Sequence, residues 1–277
     1  MSELLVACVD GESRTGKTTA SEGLTEALEN LGLNVYHDSG GSFYRRLVAK
    51  VRSDLKLSED DPLPQGEELT QAAQRASNDP SVYDSRTDFG DLDRPSIKNS
   101  VSVLGETAVA QAAGDRWYRE TAKKALESGA DIFVVDGRNP RDRLREQAGE
   151  HMDLKFLLEL IVECNPEVAA RRSLGLDRPH SDQDIADEAE KINIRRHKDR
   201  HRLINPYLPP TLSKRYTPGF DDAEETIEAI WQPRSDELEP PTPVVLDNSF
   251  MTREQLRTAV ADLGAASIQR ITAKTLN

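Results

Sequence analysis

The stretch Gly11-Glu12-Ser13-Arg14-Thr15-Gly16-Lys17-Thr18 constrains this chain more than any other, because a G-x-x-x-x-G-K-T loop works only between a buried strand and a helix start. Both neighbours are present. Leu4 to Val9 is apolar at every position, the pattern of a parallel strand covered on both faces. After Lys17, the residues Ala20, Leu24, Ala27, Leu28 and Leu31 recur at helical spacing until Gly32, which can take the left-handed turn that ends a helix. Backbone N–H groups of such a loop wrap a polyphosphate, and the helix N-terminus adds partial positive charge. Lys17 would reach the outer phosphates and Thr18 would offer an oxygen to Mg²⁺. Gly11 to Thr19 is therefore the expected nucleoside triphosphate site.

Four more strand-like runs follow: Leu33 to Tyr36, Ile132 to Val135, Leu157 to Val162 and Val244 to Leu246. Helical patterns separate them, so the expected fold class is α/β: a five-stranded parallel sheet with helices on both faces and the loop at the carboxyl end of its first strand. Residues 53–95 are rich in Asp, Glu, Pro, Gly and Ser and read as a surface insertion, with one helix expected from Ser102 to Leu126. Asn165-Pro166-Glu167 combines a cap residue, a proline and an acid at a helix start. A polar stretch, 175–184, leads to a long helix expected to end near Ile204. Residues 209–243 hold seven prolines and an acidic amphipathic run, and read as an appended excursion. Thr252 to Gln255 opens a C-terminal helix with a capping box.

A net charge of −13 argues against a protein that coats nucleic acid or anionic membrane. No run approaches the ~20 apolar residues of a membrane span, and the first strand begins too early to leave room for a signal peptide. A cytoplasmic monomer is expected. Cys8 and Cys164 fall in or beside strands and read as small buried hydrophobes.

Asp136 follows the strand Ile132 to Val135, where a carboxylate can hold Mg²⁺ directly or through water, and Arg138 is delivered to the same crevice. Arg195, Asp199 and Arg202 stand at i, i+4 and i+7 on one helix face, with the carboxylate between two guanidiniums, a pattern that also suits a solvated charged face or a small nucleic-acid patch. His197 and His201 also share a face, but no third ligand is placed to make them a metal site.

Taken together, several motifs resemble bacterial cytidylate kinases. They are the loop, Tyr44-Arg45 after a Ser/Gly turn, Asp136-Gly137-Arg138, the Asn165-Pro166-Glu167 helix with Arg171-Arg172, Arg195-x₃-Asp199-x₂-Arg202-x₃-Pro206, and Val244 to Ser249. The resemblance covers about two thirds of the chain in the right order. It implies the P-loop nucleoside-monophosphate kinase fold as one domain over 1–277, with ATP as donor and Mg²⁺ as cofactor. Core segments would be 1–52, 119–208 and 244–277, with a lid near 172–190, a monophosphate-binding insertion at 53–118, and the Pro-rich acidic insertion at 209–243.

By the same resemblance, Lys17, Arg138, Arg171 and Arg202 are catalytic, and Arg171 and Arg172 lie over ATP. Ser39, Tyr44, Arg45, Ser102, Arg119, Arg138, Asn139, Arg195, Asp199 and Arg202 would bind the acceptor monophosphate, with Arg116 competing for the place of Arg119. Three features depart from the pattern. Asn139 replaces an aspartate, Pro140 to Arg145 is charged where the family is apolar, and 209–243 has no counterpart. Rival readings are a kinase of the same fold for another small acceptor, with Asp38 or Asp199 as base, or a nucleotide-binding regulatory protein that docks a partner through 209–243.

Overall fold

A computed structural model describes residues 3–148, 152–175, 179–202, 214–219, 221–231, 241 and 243–275 of the chain. Six parallel strands form one sheet: β1 (Leu4–Gly11), β2 (Val35–Ser39), β3 (Ile132–Asp136), β4 (Leu154–Glu163), β5 (Lys214–Tyr216) and β6 (Val244–Asp247). Their order is β2-β3-β1-β4-β6-β5. Among the described residues, ten α-helices connect or flank them: α1 (Lys17–Asn30), α2 (Gly40–Asp54), α3 (Gly66–Asn78), α4 (Pro95–Leu104), α5 (Ala108–Glu127), α6 (Pro140–Ala148), α7 (Pro166–Leu174), α8 (Asp182–Arg202), α9 (Ala223–Ile230) and α10 (Arg253–Thr275).

The continuous apolar run of β1 is explained by its two buried faces. Side chains alternate across a strand, so Leu4, Val6 and Cys8 enter a core with Phe43, Leu47, Trp117 and Phe133, while Ala7 and Val9 enter a second core with Leu24, Leu28, Val260 and Leu263. Phe43 stacks on Trp117 at 5.6 Å between ring centroids. Register matters for the site: Val9 lies opposite Asp136 and Gly11 opposite Val162, so the loop after β1 and the end of β3 open on the same crevice.

Three expectations are corrected. The sheet has six strands, not five, because Lys214-Arg215-Tyr216 pairs with β6 at the edge. Only Tyr216 of the three is apolar and buried, so alternation had nothing to register there. The helix expected over Ser102 to Leu126 is two helices, divided where the Thr107 hydroxyl accepts the Ala110 N–H and caps α5. Residues 53–95 are not all surface: α3 buries Leu69, Ala72, Ala73 and Ala76, and Val82 and Tyr83 follow them into the core. Alanines let α3 sit close to its neighbours without the large side chains that signal a core. The end of the long helix past Arg202, and residues 209–213 and 232–240, lie outside the described residues.

The C-terminal helix begins as expected: the Thr252 N–H donates to Gln255 Oε1 at 2.8 Å, and the Gln255 N–H donates back to Thr252 Oγ1 at 3.1 Å. Among the described residues, no helix is long and apolar enough to cross a membrane.

Candidate functional site

A cleft of about 390 Å³ opens at the carboxyl ends of β1 and β3. Its floor is the loop. Gly11 ends β1 at φ +146°, and a Cβ there would lie 2.3 Å from the Val162 carbonyl oxygen on β4, so only glycine fits. Gly16 precedes α1 at φ +101°, with the Asn248 amide against it. Ser13 to Thr19 line the cleft continuously. Within the loop, Lys17 Nζ donates to the Glu12 carbonyl at 2.6 Å, and Thr15 Oγ1 donates to the same oxygen at 3.1 Å.

Two long-range clamps hold this loop, and neither is signalled by its own sequence. Asn248, just after β6, donates from Nδ2 to the Thr15 carbonyl at 2.8 Å. Arg196 of α8 is buried, pairs with the Glu12 carboxylate at 3.2 Å, and donates to the carbonyls of Ser13 and Cys164. Spacing had singled out its neighbour Arg195, which lines the cleft. A helix rotates by about 100° per residue, so consecutive arginines serve different surfaces.

Asp136 ends β3, buried, with both oxygens oriented: Ser39 Oγ donates to one at 3.0 Å and Ser21 Oγ to the other at 3.2 Å. His37 Nε2 stands 3.6 Å away. One residue before the loop glycine, Asp10 accepts the N–H of Gly11 at 2.6 Å and the N–H of Asn139 at 3.1 Å, tying the β1 and β3 loops together. Burial pushes its carboxyl up, opposed by the Gly11 hydrogen bond and by Arg138 and Lys17. Arg138 donates to the Gly11 carbonyl and lines the cleft. Asn139 does not line it. Its φ is +51°, and its carbonyl accepts the Arg143 N–H at the start of α6, so it serves as a turn residue; asparagine tolerates that left-handed backbone better than most residues.

Across from the loop the cleft is walled by helices. Ser39, Tyr44 and Arg45 contribute from the β2–α2 junction, and Ser102 from α4. Arg45 and Lys98 both pair with Asp93, at 2.9 and 3.1 Å. Gln111 and Tyr118 from α5 and Arg143 from α6 complete the wall. Arg143 donates to Asp115 at 2.9 Å and to Gln111 Oε1 at 2.7 Å. Burial pushes the Tyr118 hydroxyl far up, so it stays a neutral donor. A Cβ on Gly137 would lie 2.2 Å from that hydroxyl, which is why the Asp136-Gly137-Arg138 turn needs glycine.

Arg119 is half exposed on the far side of α5, 3.9 Å from Glu120, and Arg116 lies over the Tyr83 ring; neither lines the cleft. The α5 face that meets the cleft carries Gln111, Gly114 and Tyr118 at i, i+3 and i+7, and position 119 is turned away from it. Arg171 and Arg172 are exposed on α7 outside the cleft lining, with Arg172 donating to the carbonyls of Asn248 and Met251, both at 2.8 Å. The side chains of Asp199 and Arg202 lie outside the described residues. Asp38 is buried beneath α2, 4.0 Å from Arg46, and does not line the cleft.

The charged run after Asn139 also finds its partners. Arg141 is buried against Glu159 of β4 at 2.9 Å and donates to the Pro241 carbonyl, while Arg145 lies over the Phe156 ring. Burial raises the Glu159 carboxyl to about 7, opposed by Arg141.

The cleft is lined by seven cationic side chains, Arg14, Lys17, Arg45, Lys98, Arg138, Arg143 and Arg195, and by two carboxylates, Asp93 and Asp136. In a chain of net charge −13 this concentrates positive potential where a polyanion would sit. Thr18 and Asp136 line it together and present only oxygen, which suits Mg²⁺. No cluster of three or more potential metal-ligating side chains occurs among the described residues. A magnesium ion would then complete its shell with water and phosphate oxygens, its usual habit.

No family model matches the chain. It is 24% identical over 211 residues to a cytidylate kinase of Desulfitobacterium hafniense (strain Y51), covering 76% of this chain and 83% of that one. Among solved structures, APE1195 is 15% identical with a TM-score of 0.38, over 96% of this chain and 97% of that one. A sugar kinase from Janibacter sp. HTCC2649, solved unliganded, is 16% identical with a TM-score of 0.30, over 95% and 98%. Likenesses at those scores carry no argument. The sequence similarity supports a kinase-like protein.

Proposed function

We propose that this chain transfers the terminal phosphoryl group of ATP to a nucleoside monophosphate, with CMP and dCMP as preferred acceptors. The observation that carries this reading is the cleft itself: a glycine-bounded loop at a helix N-terminus on one side, arginines from separate elements on the other, and seven cations against two carboxylates. Cytidine is favoured by the motif resemblance and by the similarity to a cytidylate kinase.

The chemistry fits an acceptor that is already a nucleophile. A phosphate monoester has a second pKa near about 6, so at neutral pH it is largely a dianion and needs no general base. Among the described residues, Asp93 pairs with Arg45 and Lys98, Asp136 accepts from two serines at the place suited to Mg²⁺, and Asp38 lies in its buried pair outside the cleft. That favours a phosphate acceptor over an alcohol. The loop N–H groups and Lys17 would hold the donor phosphates, and Arg138, fixed on the Gly11 carbonyl, would stand between donor and acceptor. Arg45 would hold the acceptor phosphate after exchanging its Asp93 partner for it. Mg²⁺, held by Thr18 and Asp136, would neutralise charge on the donor phosphates. Orientation of Asp136 by Ser39 and Ser21 prepares that carboxylate in advance.

The test is ADP release with ATP, Mg²⁺ and each of CMP, dCMP, UMP, AMP, GMP and dTMP. Turnover with CMP and dCMP well above the others is expected. ATP binding without phosphorylation of any monophosphate would refute the reading.

A further inference from the structure

Arg143 comes from the stretch that is charged where the resembled family is apolar, and its guanidinium reaches the helical wall of the cleft. Its charge is met by Asp115 at 2.9 Å, and Nη2 donates to Gln111 Oε1 at 2.7 Å. The Tyr44 hydroxyl hydrogen-bonds the same guanidinium. A Cβ on Gly114 would meet both groups, at 2.4 Å from the hydroxyl and 3.1 Å from Nη1, so they converge over one glycine.

An arginine only donates hydrogen bonds. Gln111 must therefore turn its carbonyl to Arg143 and its NH₂ outward. The amide orientation is fixed a second time by Nε2 donating to the Gly105 carbonyl, another cleft-lining group. That leaves Gln111 a second N–H for the cleft. By the same logic the Tyr44 oxygen accepts from Arg143. Asp115 compensates the arginine's charge, so what Arg143 imposes on this wall is hydrogen-bond polarity.

We infer that Arg143 is a positioning residue: it makes Gln111 a donor toward the acceptor end of the cleft, selecting a nucleobase edge of acceptors, such as O2 and N3 of cytosine, over one interrupted by an N–H, such as N3 of uracil. The inference rests on the monophosphate kinase reading above. Its chemistry is a difference of affinities: a uracil N3–H facing the fixed Gln111 donor leaves a polar group unpaired in a closed site.

Steady-state kinetics with CMP and UMP on wild type, Arg143→Met, Arg143→Lys and Gln111→Leu test it. Gln111→Leu leaves the Arg143–Asp115 pair in place, so the test survives if Arg143→Met fails to fold. In Arg143→Met and Gln111→Leu the KM for CMP should rise about tenfold and the CMP-over-UMP ratio of kcat/KM should fall about tenfold. The KM for ATP and kcat should stay within about twofold. Arg143→Lys should recover part of the preference, because one donor is retained without the fork. A wild type that prefers CMP, together with folded variants that keep the same preference, would overturn the inference and leave the kinase reading standing. A wild type that neither turns over nor, by calorimetry, binds any monophosphate would sink the kinase reading and this inference with it.

Discussion

On one side of the cleft, Ser13 to Thr19 supply seven consecutive lining residues, and most of what they offer is backbone. On the other, Tyr44, Ser102, Gln111, Tyr118 and Arg143 arrive from four separate helices and offer side chains. The first kind of wall is specified by a local string, because glycine positions and a helix start suffice to aim N–H groups. The second exists only once α2, α4, α5 and α6 have packed. Its specificity is accordingly free to change by single substitutions, whereas the loop tolerates few.

The largest effect should come from the loop wall. Lys17→Ala should lower kcat/KM by at least about 10²-fold to 10³-fold while thermal unfolding stays within a few degrees, since Lys17 is a surface of the cleft and not of the core. ADP-release assays beside a melting curve decide it. An active Lys17→Ala protein would mean that the loop does not serve the donor.

How much of this could be read from residues follows the same division. Five strands, the loop and the capping box were legible because each is a local pattern of apolar runs or hydrogen-bonding side chains. The edge strand β5 was not, since three residues with one buried tyrosine carry no period. Ser39, Tyr44, Arg45, Ser102, Arg138 and Arg195 were legible and do line the cleft. Gln111, Tyr118 and Arg143 were not, although Gln111 and Tyr118 sit on the same face of α5 as Gly114. A glycine and a tyrosine at i+3 and i+7 of a glutamine were the available signal. Arg119, placed at the acceptor by the family resemblance, does not line the cleft, because motif order does not say which way a helix faces.

The helical wall can be broken by one methyl group. Gly137 has no left-handed backbone requirement, so Gly137→Ala should cost about 1–3 kcal/mol purely through the Tyr118 hydroxyl, measurable by denaturant unfolding. Tyr118→Phe in the same chain should restore most of it. If the double variant is as unstable as the single, the clash is with backbone and the two walls are more alike than supposed.

A third effect is a pH dependence beneath the helical wall. Glu159 under α6 is raised from 4.5 to about 7 by burial, so its contribution to stability is fully present below about pH 4.5 and is lost as pH rises through 7. The difference corresponds to at most about 3 kcal/mol between pH 5 and pH 8. Unfolding free energies of wild type and Glu159→Gln, aligned at high pH, should coincide above about pH 7 and diverge as pH falls below it. Parallel curves would refute the assignment.

The smallest effect is expected at Arg119. Arg119→Ala should leave the KM for CMP within about twofold, whereas Arg45→Ala should raise it about tenfold or more. Equal losses would return Arg119 to the site.

The clamps on the loop carry a further consequence for how the chain is made. The carbonyl of Ser13 is held by a side chain 183 positions later, and that of Thr15 by one 233 positions later. A ribosome emits the loop well before Arg196 and Asn248, which hold it. The most recognisable part of the molecule therefore acquires its final shape only after β6 has been made, and fragments ending before β6 would display the motif without the pocket.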